Sequence, residues 1–268
     1  MVRKNLWEIL ETKAIDIPQE YRSLQDLFHS RELARKGSFN YSFYEILEAE
    51  FLNLPRRGTC TTYDDFLEYV GLKNSHLNLF VGLDDLNLLI EVILFVLGDL
   101  DSIHTPFDYY RGREIVMDNI SALLEKTNQK IISLQGKGEI VIPKDETITI
   151  AAELILPDDE KLAFEILGYS HYSNKDNIKE KRRILQMLAN YLEPKLKKNK
   201  NSNISFLLNK YFIRHGDDEN QKNVDSMTTD KLNMLYDKLY REILYYILEQ
   251  EHKEFEVMVK DIKQNYGK

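Results

Sequence analysis

The stretch Asn203–Gly216, NISFLLNKYFIRHG, decides how the rest of the chain is read. Its apolar run predicts a helix over Ile204–His215 that ends in adjacent Arg214 and His215 and then meets Gly216, a natural helix stop. A lysine-rich segment precedes it, and a polar stretch, Gly216–Thr229, follows it. The stretch sets a cation and an imidazole side by side, with the carboxylates of Asp217 and Asp218 close behind.

Around this helix the composition is that of a globular, mainly helical protein. Hydrophobic residues make up 43% of the 268 positions and charged residues 30%, which excludes a disordered chain; six prolines and eleven glycines leave room for long helices. Cys60 is the only cysteine, so an internal disulfide and a cysteine zinc site are both excluded. The start, MVRKNLWEILETK, carries charges where a signal peptide needs an apolar core. The longest apolar run, Leu86–Leu97, is too short to span a bilayer. The expectation is a cytoplasmic protein with no membrane partner. The net charge of −8 gives no overall attraction for nucleic acid, so any such binding needs a local basic patch.

The predicted elements follow from periodicity and punctuation. Residues 1–80 read as an N-terminal helical region, and residues 84–268 as a helical domain. In the first region Pro18 interrupts the apolar pattern, and Leu24, Leu27, Phe28 and Leu33 suit one face. Lys36–Asn40 reads as a loop. Ser42 with Glu45 forms a capping box, and Thr62 with Asp65 starts a helix closed by Gly71. Asp84–Leu97 is apolar nearly all round and predicts a buried central helix. Glu114–Ile131 predicts a helix with Ile115, Ile120, Leu123 and Leu124 inward. EIVI and TITI, separated by PKDE, predict a β-hairpin over 139–150. Asp159–Leu167 reads as a helix. Another, capped by Asn177 and Glu180, ends at Pro194. The last helix carries a stripe from Leu232 to Ile247 that continues through Phe255, Met258, Val259 and Ile262.

Three groups of residues carry possible chemistry. Arg214 offers a planar guanidinium for phosphate oxygens, and His215 a proton donor and acceptor near neutral pH. The pair suits metal-free RNA cleavage, with no cofactor and no metal required; equally, cations before a glycine stop favour the negative end of a helix dipole. Lys179, Arg182 and Arg183, in the basic segment 175–200, and Lys210 are candidate RNA contacts, or an ordinary solvated face. Tyr236, Asp237 and Tyr240 open the last helix, and the two tyrosines share a face, placed to meet and orient the His215 end of its neighbour or simply to pack the core. Asp99, Asp101, His104 and Asp108 read as a polar turn rather than a metal site.

The segments KEKRRILQMLANYLEP (179–194), LLNKYFIRHG (207–216) and MLYDKLY (234–240) together resemble bacterial abortive-infection-type proteins of the HEPN superfamily. The resemblance covers roughly residues 178–250. It implies a bundle of four or five helices, a homodimer that joins two active sites, and metal-independent RNA cleavage. The family's motif is Arg or Asn, four to six residues, then His. Asn209 and His215 enclose five residues and fit the asparagine form, whereas Arg214 sits directly beside His215, a departure from the usual arginine spacing. On this reading the protein is an antiphage effector, a ribonuclease toxin in which His215 is the acid/base, Arg214 the phosphate anchor and Asn209 a polar orienter. Residues 1–80 would then sense a phage trigger or a protein partner. The alternative is a non-catalytic helical interaction or sensor protein of a defence or toxin–antitoxin system.

Overall fold

A computed structural model describes residues 15–72, 81–134, 138–199, 202–211, 213 and 218–266. The protein is mainly α, with eleven α-helices and two small two-stranded antiparallel sheets among the described residues. None of these helices is long and apolar enough to cross a membrane. The chain divides into two compact units, Met1–Val141 and Ile142–Lys268. The central helix that sequence grouped with the C-terminal domain therefore lies in the first unit.

In unit 1, Pro18 begins a helix instead of interrupting one. Helix α1 (Ile17–Phe28) carries Pro18 in its first turn, where a missing N–H costs nothing, and Asp16 caps it by accepting from Gln19 N at 3.1 Å. The expected loop at Lys36–Asn40 is a tight hairpin, with β1 (Ala34–Lys36) paired to β2 (Phe39–Tyr41). Gly37 permits it by taking φ +62°, a conformation that strains other residues. Helix α2 (Phe43–Glu50) opens with the predicted Ser42–Glu45 capping box, and α3 (Tyr63–Tyr69) with the predicted Thr62 cap.

The core of unit 1 is built on α4 (Leu83–Asp101), whose Leu86, Ile90, Ile93, Leu97 and Leu100 are all at most 1% exposed. Asp99 is also 1% exposed. Its carboxylate accepts from the Arg56 side chain and, at 3.2 Å, from Arg56 N, while the guanidinium lies 4.3 Å from the Phe95 ring centroid. A buried acid needs such a partner. Asp101 pairs with Arg113 (2.9 Å). These acids serve the packing of the turn.

Helix α5 (Tyr110–Lys126) starts before the predicted Glu114 and ends before Ile131, because Gln129–Leu134 forms strand β3. Its inner face is Val116, Ile120, Leu123 and Leu124; Ile115 is turned outward. The partner of β3 is β4 (Gly138–Pro143), so EIVI does form a strand, but its mate lies upstream. Glu91 of α4 ties this hairpin to the core by accepting from Val141 N at 2.7 Å. TITI, the expected second strand, instead enters α6 (Glu146–Ile155). Asp145 caps that helix at Ile148 N (3.2 Å), and Ile148, Ala151, Ala152 and Ile155 bury one helical face. The cap and the 3.6-residue period override the β-branched run.

Unit 2 continues with α7 (Glu160–Tyr169), α8 (Ile178–Asn199), α9 (Ser202–Lys210), α10 (Asp218–Asp225) and α11 (Thr229–Tyr266). The predicted Asn177 cap is present, accepting from Glu180 N at 3.1 Å. Pro194 does not end α8. It removes the hydrogen bond to the Asn190 carbonyl, but both residues lie on the exposed face, where water replaces it. The core joins Leu162 and Ile166 of α7 to Leu185, Leu188 and Leu192 of α8, Leu208 of α9, and Leu239 and Ile243 of α11.

Gly112 gives a test whose sign separates packing from propensity. It lies inside α5, where Ala is ordinarily about 1 kcal/mol better than Gly. A Cβ there would stand 2.0 Å from the Leu33 carbonyl oxygen. Gly112→Ala should therefore destabilise unit 1 by about 1–3 kcal/mol in chemical unfolding. A stabilised variant would contradict the α5–Leu33 contact.

Candidate functional site

Of the predicted site residues, Arg182 of α8 and Tyr236 of α11 meet at the end of α9, the helix that carries Asn209 and Lys210. Helix α9 ends at Lys210, with Tyr211 in a turn and Ile213 in a bend, so the helix stops short of the predicted His215. The reason lies in its last carbonyls, which have no helical partner and need outside donors. Asn223 Nδ2 of α10 donates to Lys210 O at 3.1 Å, and Tyr236 Oη of α11 donates to Tyr211 O at 3.2 Å. Ile213 is then buried, at 2% exposure. Arg214 and His215, expected as phosphate anchor and acid/base, lie outside the described residues, as does Gly216.

Tyr236 is fully buried, and its hydroxyl also accepts from Arg182 Nε at 3.1 Å. One oxygen thus links α8, α11 and the end of α9. Tyr240, one turn further on, donates to Ile166 O at 2.8 Å and stacks face to face on Tyr169, with centroids 3.8 Å apart. The two tyrosines share a face, as their spacing predicts, and that face is turned into the core.

Asp237 stands between them at the edge of a second network. Its Oδ1 accepts from Tyr169 Oη at 3.0 Å and from Lys181 Nζ at 2.7 Å. Lys181 is only 4% exposed, and its ammonium also donates to Lys175 O at 2.9 Å and to Asn233 Oδ1. Three donors meet three acceptors, which lets a charged amine stay buried. Burial, and then the charge of and hydrogen bond to Asp237, push the Tyr169 hydroxyl far above its usual range. Burial does the same to Tyr240.

The expected RNA contacts fare unequally. Lys179 is exposed. Arg182 is held by Tyr236, and Arg183 by Glu180 and Glu165, whose hydrogen bonds raise its pKa further. Lys210 is half-buried at the end of α9. Asn209, the expected orienter, has its side-chain oxygen buried with no hydrogen-bond donor among the described residues. Leaving such an acceptor unpaired costs about 1–3 kcal/mol.

Lys181 belongs to the basic segment 175–200 by sequence, yet it is buried. The signal was there: Lys181 falls on the stripe Ile178, Leu185, Leu188 and Leu192, at a position where an apolar side chain is expected. Comparison with known proteins finds no matching family model, no matching curated protein and no matching solved structure.

The Tyr169–Asp237 contact predicts a pH dependence. A tyrosine whose folded pKa lies above the unfolded value of 10.0 contributes stability that is fully present below pH 10.0 and lost as pH rises past it. The thermal midpoint of the wild type should fall above about pH 10, and that of Tyr169→Phe less steeply. Equal slopes would contradict the assignment.

Proposed function

We propose that unit 2 is a HEPN-like ribonuclease domain that cleaves RNA without a metal, in an antiphage effector of the abortive-infection type. One observation carries the reading: the chain is held at Lys210, Tyr211 and Ile213, just before the Arg214–His215 pair. Asn223 and Tyr236 hold the carbonyls of Lys210 and Tyr211, and Ile213 is anchored in the core. The helix also ends before the Arg–His pair, which weakens the view that these cations merely finish its last turn. Catalysis rewards this kind of preorganisation, since a small misplacement of a proton-transfer group is costly.

In this reading His215 moves a proton at the ribose hydroxyl or the leaving oxygen, Arg214 neutralises the phosphate as its charge grows, and Asn209, whose buried side-chain oxygen has no donor among the described residues, is a polar orienter. Lys179 and Lys210 supply cations for the RNA backbone. Unit 1 is the sensing or partner-binding part, and the active protein is a homodimer in the cytoplasm.

A second reading, a non-catalytic helical interaction or sensor protein, is favoured by the ion pairs of Arg183 and the burial of Lys181. Both remove positive charge from the surface where RNA would lie.

Incubation with total cellular RNA separates the two. The ribonuclease reading predicts cleavage that persists in a chelator and falls about 10²–10⁴-fold in His215→Ala, with the circular dichroism unchanged. Cleavage or growth arrest by His215→Ala at the wild-type level would end the catalytic assignment; inactivity of both proteins would favour the interaction protein.

A further inference from the structure

The second half of α11 has no place in the unit 2 core. Leu232–Ile247 of α11 supplies that core, but every residue of Glu251–Tyr266 is exposed except Val259, which is half-buried. This segment carries Phe255 at 54% exposure, Met258 and Ile262 at 50%, and Tyr266 at 82%. On a helix, Phe255, Met258, Val259, Ile262 and Tyr266 fall on one stripe about 100° wide. Sixteen residues of isolated helix are marginal in water, and a stripe of this kind calls for a partner.

The flanking charges indicate which partner. Glu249, Glu251, Glu254 and Glu256 outnumber Lys253 at the start of the segment, while Lys260 and Lys263 outnumber Asp261 beyond its middle. Glu256 and Lys263 are seven residues apart, two turns, and so stand on the same flank of the apolar stripe. In an antiparallel pair of identical helices the same flanks meet. A register centred between Val259 and Lys260 brings Glu256 of each copy beside Lys263 of the other. It also sets Met258 near Ile262 across the seam and Phe255 near Tyr266. In a parallel in-register pair opposite flanks meet, so Glu256 of one copy and Lys263 of the other lie on opposite sides of the seam.

We propose that the exposed end of α11 is a self-association surface, occupied by the same segment of a second copy running antiparallel. The apolar stripe forms the seam, and two Glu256–Lys263 pairs fix its direction. The seam is short, so the dimer is concentration-dependent. This surface deepens the homodimer of the proposed function, and because its test does not read RNA cleavage the two can fail separately.

Sedimentation equilibrium of the full chain over about a hundredfold concentration range tests it. The wild-type mass should rise from 31.7 kDa towards twice that value. Met258→Asp with Ile262→Asp changes only exposed positions; it should stay monomeric, with the wild-type melting profile of the core. Lys263→Glu should weaken association at least fivefold, and adding Glu256→Lys should restore it. A wild type that remains a monomer throughout would overturn the proposal. So would a dimer that survives the double aspartate variant, or one whose weakening by Lys263→Glu is not reversed by the charge swap.

Discussion

The buried hydroxyl of Tyr236 sets the geometry of the candidate site. A phenol inside a core must find partners, and here it finds two: Arg182 Nε as donor and the Tyr211 carbonyl as acceptor. Because those partners sit on α8 and just beyond α9, one oxygen fixes how three helices meet. Asn223 does the same one residue earlier, at the Lys210 carbonyl. The end of α9 is thus set by side chains from outside the helix. The glycine stop that its own sequence suggests lies six residues further on. The carbonyls of Lys210 and Tyr211 are thereby held, four and three residues before Arg214.

The second network, together with the ion pairs of Arg183, takes up two cations of the lysine-rich segment in internal pairs. Lys181 is buried with Asp237, Asn233 and a backbone carbonyl, and Arg183 is held between two glutamates. Each costs desolvation that only full pairing offsets. Buried polar groups of this sort specify one arrangement of helices, since any other leaves a charge without a partner. In unit 1 the same logic governs Asp99 and Arg56, which close the end of α4 against the segment after α2.

Much of this architecture was legible in the sequence. The caps at Ser42, Thr62 and Asn177, the buried helix around Leu86–Leu97 and the stripe of α11 up to Ile247 all follow from local rules. The errors lie where a local signal meets a stronger competitor. TITI has the look of a strand, but Asp145 caps it into a helix, and the mate of EIVI is KIIS, which reads as the end of a helix. Pro194 breaks a pattern on paper, yet it faces solvent, where a lost hydrogen bond is cheap. Pairings distant in sequence, such as Lys181 with Asp237 or Tyr236 with Tyr211, leave no trace in a single chain beyond a polar residue on an apolar stripe. Of the candidate site, sequence offers residue types alone. That Asn209, Arg182 and Tyr236 gather at the end of α9 required the fold.

The central claim is that the Tyr236 hydroxyl holds the end of α9. Amide hydrogen exchange at Leu208–Tyr211 in wild type and Tyr236→Phe tests it most directly, because the Tyr211 amide is bonded to Leu207 O at 3.2 Å within the held turn. The account predicts exchange there roughly ten- to hundredfold faster in the variant, with α6 and α7 protected as before. Unchanged protection at Tyr211 would contradict it.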